Sequence, residues 1–241
     1  MVLVLCDPFD TAALWAAAQL RDRAVPVQLV TSDELDGAIR CSHRVGRTGT
    51  ATIDITLADG RTLTGAAPQG VLNRLGIAPT GRLDRLGGPD RDYAVQEMQA
   101  LYLSWLHALP GPMLNRPTPQ GLGGVWRHPA DWAMMAGQAG LAVAPYRHET
   151  NAEWSVSPTS ASTVFVMANQ VIAPPNLLAS TGLPARVRAG CIRLAALSGE
   201  ALLGITFTRT PRWQVQDASP RPDLTAGGAA LIDALQAALT P

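Results

Sequence analysis

The sequence predicts an α/β protein, because runs typical of strands alternate with runs typical of helices along most of the chain. With 241 residues, of which 47% are hydrophobic and 16% are charged, the chain can bury a sizeable core in one or two compact domains. A polar stretch at residues 145–160 separates two more apolar parts. We therefore predict one domain over residues 1–145 and a second over residues 146–241.

The first domain opens with a strand, a helix and a second strand. The continuous apolar run MVLVLCD is typical of a buried parallel strand, and Asp10 is placed to cap the helix that DTAALWAAAQLRDR predicts. Residues 25–31 predict the next strand. Residues 50–65 alternate apolar with polar side chains and predict a hairpin that turns at Asp59 and Gly60.

Two further strands flank a long helix in the same domain. QGVLNRL and GPMLNRP each predict a strand that ends at an Asn-Arg pair, Asn73 with Arg74 and Asn115 with Arg116. Between them, YAVQEMQALYLSWLHAL has apolar residues at helical spacing and carries Glu97 near its start. Different residues follow the two LNR tripeptides, so we interpret them as the ends of two strands in one sheet and not as an internal repeat.

The rest of the chain is predicted to alternate in the same way. HPADWAMMAGQAG predicts a helix, and residues 162–173 predict a strand or a hairpin around Ala168 and Asn169. An amphipathic helix is bounded by Pro184 and Gly199. ALLGITFTR and RWQVQDA then predict two strands, and TAGGAALIDALQAAL predicts the last helix.

Composition excludes several partners. The formal net charge is +0 and there is no run of basic residues, so we expect no nucleic-acid partner. Apolar stretches end well before the ~20 residues of a membrane span, and the N-terminus lacks the basic region of a signal peptide. The 3 cysteines are widely spaced and odd in number, as expected for reduced thiols. We therefore predict a cytoplasmic protein without a membrane partner.

Common catalytic motifs are absent from the sequence. There is no G-x-S-x-G, no G-x-x-x-x-G-K-[ST] and no H-E-x-x-H, and the 4 histidines are too far apart to form a ligand pattern. All 19 Lys+Arg residues are arginine. No lysine Schiff base or phosphate-binding ammonium group can therefore come from this chain, and arginine replaces only some of these roles.

The order of segments resembles that of ATP-grasp proteins, nearest to the branch of the ribosomal-protein glutamate ligase and the microviridin-type peptide ligases. The matching segments are GVLNRL, YAVQEMQALYLSWLHALPGPMLNRP, a helix ending in AGLAVAP, LPARVRAGCIRLAALSGEALLGITF and WQVQDASPRPDL. The resemblance implies an N-terminal parallel-sheet pre-ATP-grasp domain, followed by a shortened ATP-grasp-like α+β domain. It also implies a homodimer.

Several functional positions of the family are changed here. In the family, two magnesium ions that bridge the ATP phosphates are held by an Asp on one strand and by a Glu and an Asn on the last strand. These positions fall on Thr206, Val215 and Asp217, so only Asp217 can still coordinate magnesium. One of the family's phosphate-binding lysines falls near Trp132, and residues 146–161 are too few for the full two-stranded lid.

Three functional hypotheses follow. Each lost electrostatic contact costs about 10²- to 10³-fold in rate, so the first is a degenerate ATP-grasp-like protein without ligase catalysis that binds a small molecule, a peptide or a partner enzyme and needs no cofactor. The alternative is an active, divergent, ADP-forming ligase that joins a carboxylate to an amine or a thiol, or ligates a peptide. Its cofactors would be ATP and Mg, with arginines in place of lysines at the phosphates. The third takes the resemblance as accidental and places a ligand near Asp7, Asp10 and Arg74, at the carboxyl ends of the strands.

The candidate ligand contacts are polar side chains at strand ends, on the long helix and near the last two strands. They are Asn73, Arg74, Glu97, Asn115, Arg116, Arg209, Arg212 and Asp217. No catalytic residue and no metal site is assigned. A purely structural role stays open for each of them, for example an ion pair of Glu97 with Arg74 or Arg116 that holds the helix on the sheet.

Overall fold

The structure is a computed structural model that describes residues 1–47, 51–63, 68–146, 161–178, 182–208 and 212–241. It divides into two compact units, one of Met1–Val125 with Leu235–Pro241 and one of Trp126–Ala234. The predicted boundary after residue 145 lies inside the second unit, and a domain division at that point stays a prediction. The predicted α/β class is confirmed.

In its described residues, the first unit contains a parallel sheet, a separate hairpin and helices. The strands are β1 (Val2–Cys6), β2 (Val27–Thr31), β3 (Arg40–Val45), β4 (Ala51–Thr56), β5 (Gly70–Asn73) and β6 (Met113–Leu114). The helices are α1 (Thr11–Asp22), α2 (Ser32–Asp36) and α3 (Gly88–Ala108), with a 3-10 helix at Gly81–Arg85. The parallel sheet has the order β2-β1-β5-β6, and β3 pairs with β4.

The continuous apolar character of the first strand has a direct structural cause. All five residues of β1 are buried, because β1 is a central strand with β2 on one side and β5 on the other. Leu3 and Leu5 pack with Trp105 and Leu106 of α3 in one hydrophobic core. The long helix predicted from apolar spacing is therefore the element that covers one face of the parallel sheet.

The second unit, in its described part, is built on an antiparallel sheet of the order β10-β9-β7-β8. Its elements are α4 (Pro129–Gln138), β7 (Ala161–Met167), β8 (Gln170–Ile172), α5 (Pro175–Leu178), α6 (Ala185–Ser198), β9 (Leu202–Thr208), β10 (Gln214–Ser219) and a 3-10 helix at Leu224–Gly227. Apolar side chains of α4 and α6 pack on one face of this sheet. The last helix, α7 (Gly228–Leu239), begins in this unit and ends in the first.

Local signals in the sequence are confirmed at several chain reversals. Asp10 caps α1 by accepting a hydrogen bond from the backbone N–H of Ala13 at 3.0 Å. The β7–β8 hairpin turns at Ala168 and Asn169, which have φ angles of 48° and 61°, as a two-residue turn of this type requires. Gly199 ends α6 in the left-handed conformation with φ of 74°.

The hairpin predicted at residues 50–65 differs in its pairing. Its turn is present, since Leu57 donates to the carbonyl of Arg61. In the described part of the return segment, Thr62 forms a bridge with Thr56 and Leu63 donates to Ile55. Residues 50, 64 and 65 of the predicted hairpin lie outside the described residues. The main partner of β4 is β3, which the sequence does not predict because its residues RCSHRV lack apolar alternation.

No helix in the described ranges is both long enough and apolar enough to cross a membrane.

Gly70 on β5 lies close to the backbone of the final helix, so a substitution of Gly70 tests how that helix packs. A Cβ atom at Gly70 would lie 2.4 Å from the carbonyl oxygen of Leu239 on α7, so Gly70→Ala forces the backbone apart. We expect a loss of about 1–3 kcal/mol in the free energy of unfolding, measured by urea denaturation. Gly87→Ala is the matched control, because a Cβ there has nothing within 4 Å, and equal stability of both variants would contradict this packing.

Candidate functional site

The first group of predicted residues lies at the carboxyl ends of the parallel strands. Arg74 directly follows β5 and is 6% exposed. Its Nε donates to Oδ2 of Asp10 at 2.6 Å, and a terminal nitrogen donates to Oδ1 at 3.1 Å. Asp10 is the residue that also caps α1. This bidentate ion pair joins the end of β5 to the start of α1 and largely neutralises the charge that the sequence offered for an anionic ligand.

Asn73 and Asn115 are structural neighbours in the same region. Both are 1% exposed. The amide nitrogen of Asn73 donates to the carbonyl oxygens of Leu122 and Asn115, at 2.5 Å and 3.2 Å, and its amide oxygen accepts from the N–H of Leu75. Asn73 therefore satisfies the backbone of three separate segments where the strands end. The structure brings Asn73, Arg74 and Asn115 together, and a ligand role for them stays a prediction.

The other predicted contacts are more exposed. Arg116 is exposed after β6, and Glu97 is exposed on α3. Within the described residues Glu97 makes no ion pair, so the salt bridge to Arg74 or Arg116 that the sequence left open is not formed. Arg212 is exposed just before β10. Arg209 lies outside the described residues.

A second group of predicted residues meets on the antiparallel sheet. Thr163, Thr206 and Asp217 occupy paired positions on β7, β9 and β10. The hydroxyl oxygens of Thr163 and Thr206 are 3.1 Å apart and share a hydrogen bond. Ile205 and Phe207, on either side of Thr206, belong to the core. Because side chains alternate along a strand, the polar row lies on the face opposite to α4 and α6.

Val215, where the resemblance implies a metal ligand of the family, faces the core. It is 2% exposed and packs among the buried residues of the second unit. A bulge follows it, so Asp217 pairs with Thr206 whereas Val215 pairs with Phe207. Both backbone groups of Val215 also bond to the neighbouring segment, to the carbonyl of Ala142 and the N–H of Ala144. Val215 and Asp217 therefore do not lie on the same face of β10.

Asp217 is the carboxylate of the polar row. Desolvation by the surrounding protein raises its pKa above the ordinary value of 3.8, and a hydrogen bond from the backbone N–H of Ala218 opposes this shift. The side chain is exposed at its outer side. A carboxyl group in this setting binds a proton or a donor more readily than it would in water.

The donor set does not fit the magnesium ions of the ATP-grasp reaction. Magnesium requires several hard oxygen ligands around each ion, usually with at least one carboxylate and phosphate oxygens. The polar row offers one carboxylate and two hydroxyl groups. No group of three or more His, Cys, Asp or Glu residues that could hold a metal ion occurs among the residues that the structure describes.

Arg127 is a residue that sequence reasoning missed. Its guanidinium carbon lies 5.6 Å from the ring centroid of Trp132, near which the resemblance implies a lysine of the family. One terminal nitrogen donates to the carbonyl oxygen of Ser198 at 3.1 Å, while the buried Nε has no hydrogen-bond partner within the described part of the chain. The signal was available, because Arg127 lies only a few residues before Trp132 in a lysine-free chain.

The buried thiols are unsuited to nucleophilic chemistry. Burial, followed by the negative charge of Asp10 and Asp7, raises the pKa of Cys6 to about 12, and burial raises that of Cys191 to about 12 as well. The thiolate is the reactive form of cysteine. Neither residue therefore has a meaningful thiolate population near neutral pH.

No protein family matches this sequence, and no curated protein matches it. Several solved structures are nevertheless similar over the whole chain. The macrocyclase MdnC of Microcystis aeruginosa MRC, bound with precursor peptide MdnA, aligns at a TM-score of 0.71 and 11% identity over 100% of both chains. The ATP-grasp ligase PsnB, in complex with minimal precursor, Mg and ADP, aligns at 0.64 and 15%, over 100% of this chain and 98% of PsnB.

A third similar structure is a RiPP-associated ATP-grasp ligase of Chryseobacterium gregarium, in complex with ADP and a leader and core peptide. It aligns at a TM-score of 0.65 and 11% identity, over 98% of this chain and 96% of the ligase. These likenesses show that the chain has the fold of ATP-grasp peptide ligases. The resemblance inferred from the order of segments is confirmed at the level of the fold.

The ion pair at the end of β5 predicts a specific stability effect. Asp10→Asn keeps an oxygen that can cap α1 but removes the charge beside the buried guanidinium of Arg74. We expect a loss of about 3 kcal/mol in the free energy of unfolding, measured by urea denaturation.

A matched control is available on the same helix. Asp22→Asn changes an exposed carboxylate of α1 and should shift the stability by less than about 0.5 kcal/mol. Adding Arg74→Met to Asp10→Asn should restore part of the loss, because no buried charge then remains at this site. Equal effects of Asp10→Asn and Asp22→Asn would show that the ion pair is not stabilising.

The raised pKa of Asp217 gives a pH prediction. The folded protein holds the proton of this carboxyl to a higher pH than the unfolded chain does, so its ionisation lowers stability as the pH rises from 3.8 to the folded pKa. Carboxyl-carbon NMR should show the Asp217 signal titrating above 3.8, with Asp217→Asn assigning the signal. A midpoint at or below 3.8 would contradict the desolvation argument.

Proposed function

We propose that this protein binds a peptide and takes part in peptide modification. The observation that supports the proposal is the likeness, across the whole chain, to three proteins that were each solved in complex with a precursor peptide or with a leader and core peptide. Peptide was one of the ligands expected from the sequence. The similar structures support it over a small molecule.

The similar structures and the residues of this chain favour different answers to the question of whether the protein catalyses ligation. The similar proteins are named as ligases or macrocyclases, which favours an active ligase over the binding role without catalysis that the sequence suggested. The residues of this chain favour binding, because Val215 is turned into the core and the polar row carries a single carboxylate. We therefore propose peptide binding as the function and ATP-dependent ligation of that peptide as the second candidate.

Arg127 is the observation within the chain that favours the second candidate. Its guanidinium lies on Trp132, near the position of a family lysine, and its Nε is buried without a partner among the described residues. An arginine there supplies the positive charge that a phosphate group requires. Under this candidate ATP and Mg are the cofactors, and the further magnesium ligands come from outside the polar row.

The remaining expectations are carried forward as proposals. A homodimer is implied by the resemblance, and a partner enzyme stays an alternative to a free peptide as the bound molecule. The odd number and wide spacing of the cysteines support a cytoplasmic location.

Selection from a random peptide library on the immobilised protein tests both candidates. An enriched peptide, resynthesised with a fluorescent label, should bind with a measurable dissociation constant by anisotropy. Adding Mg-ATP should then leave the peptide mass unchanged and release no ADP if the protein only binds. ADP together with loss of one water from the peptide establishes the ligase instead, and Arg127→Gln should then reduce ADP release by about 10²-fold or more. Failure to enrich any peptide would contradict peptide binding.

A further inference from the structure

The strand β3 is an open edge of the small hairpin sheet. It pairs with β4 on one side, and no strand of the described residues lies on its other side. Its six residues contain no proline and are all exposed or half-buried. An open edge of this kind presents backbone donors and acceptors to which an extended peptide can add as a further strand.

The register identifies which backbone groups point outward. Leu63 donates to the carbonyl oxygen of Ile55, so the backbone of Ile55 faces away from β3. In an antiparallel ladder, residues opposite each other are alternately bonded and non-bonded. Cys41, which is opposite Ile55, is therefore non-bonded to β4. The N–H and C=O groups of Cys41, His43 and Val45 face the open edge.

The two faces of β3 differ in chemistry. Arg40 and Arg44 share the face away from α3, and Arg47 follows the strand; all three are exposed. None of the three makes an ion pair with any described residue. The opposite face is held toward α3, since His43 Nε2 lies 3.0 Å from the hydroxyl of Ser104. One face of the edge is thus basic.

A cavity of about 300 Å³ lies at the start of β3. Its walls are mostly apolar and also contain charged residues. They include Ile39, Arg40, Cys41, Ile55, Met98 and Tyr102, with Asp36 and Arg82. The size suits one large apolar side chain. A peptide strand that pairs with β3 presents its side chains alternately to the two faces of the sheet. One row of side chains then lies beside Arg40 and Arg44, and the other row lies on the face toward α3.

We propose that the open edge of β3 is a docking site for an extended peptide in which acidic and apolar residues alternate. Backbone bonds to Cys41, His43 and Val45 supply the pairing, Arg40 and Arg44 select the acidic row, and the cavity receives an apolar side chain. The proposal rests on peptide binding as the protein's function, and it specifies where the peptide binds and which kind of peptide it is. Charge complementarity distinguishes this occupant from a second copy of the chain, whose own β3 would bring arginine against arginine.

The test uses a short fluorescein-labelled peptide in which glutamate alternates with valine, added to the full-length chain and followed by anisotropy. Arg40→Glu combined with Arg44→Glu should weaken binding by about tenfold or more. The matched control is Arg21→Glu with Arg186→Glu, which changes the net charge equally at exposed positions on α1 and α6. The control should stay within about twofold of the wild type.

A second pair of variants tests the backbone pairing. Val45→Pro removes an outward N–H and should weaken binding by about tenfold, while Val45→Ala keeps that N–H and should stay within about twofold. Circular dichroism and thermal unfolding verify that both variants are folded. A probe with lysine in place of glutamate should not bind. Two N-methylated versions of the glutamate probe should also differ: methylation of the amides that face β3 should weaken binding more than methylation of the alternate amides.

The outcomes separate the two proposals. If the glutamate probe or a library-selected acidic peptide binds the wild type and all variants equally, the edge site is wrong and peptide binding elsewhere stands. If no peptide binds at all, both proposals fail. A concentration-dependent dimer in sedimentation that Val45→Pro dissociates would assign the edge to a second copy and would also overturn the peptide site.

Discussion

The ion pair between Arg74 and Asp10 joins the end of β5 to the start of α1, and the packing of the first unit depends on this connection. Asp10 follows β1 and caps α1, and its carboxylate accepts from Arg74. Arg74 directly follows β5, and its backbone N–H donates to the carbonyl oxygen of Leu5 on β1. A buried guanidinium needs a partner of opposite charge. The same contact therefore joins the sheet to its first helix and gives Arg74, one of the candidate ligand contacts, a structural role.

A comparable constraint operates in the second unit. Val215 is held by its side chain in the core and by its backbone between β9 and residues 142–144. A carboxylate at this position would be buried among apolar side chains, at a high free-energy cost. The chain thus has the fold of ATP-grasp ligases together with a buried valine where the resemblance implies a magnesium ligand, and this combination is why peptide binding is proposed ahead of ligation.

The β3 edge adds a surface that needs no phosphate chemistry. The recognition elements proposed there are backbone groups, two arginines that make no ion pair with any described residue, and a cavity, all within the first unit. The peptide binding proposed there and the ligation proposed as the second candidate depend on different residues, so variants can test them separately.

The sequence by itself determined most of the secondary structure and the fold, because burial imposes periodicity on strands and helices and because Asp10, Asn169 and Gly199 act through local backbone geometry. It also placed Asn73 and Arg74 at a strand end. Only the tertiary structure decided that Asp10 neutralises Arg74, that Val215 faces the core after a bulge, and that RCSHRV is an edge strand. These outcomes depend on register and on contacts between residues far apart in the chain, which local patterns do not encode.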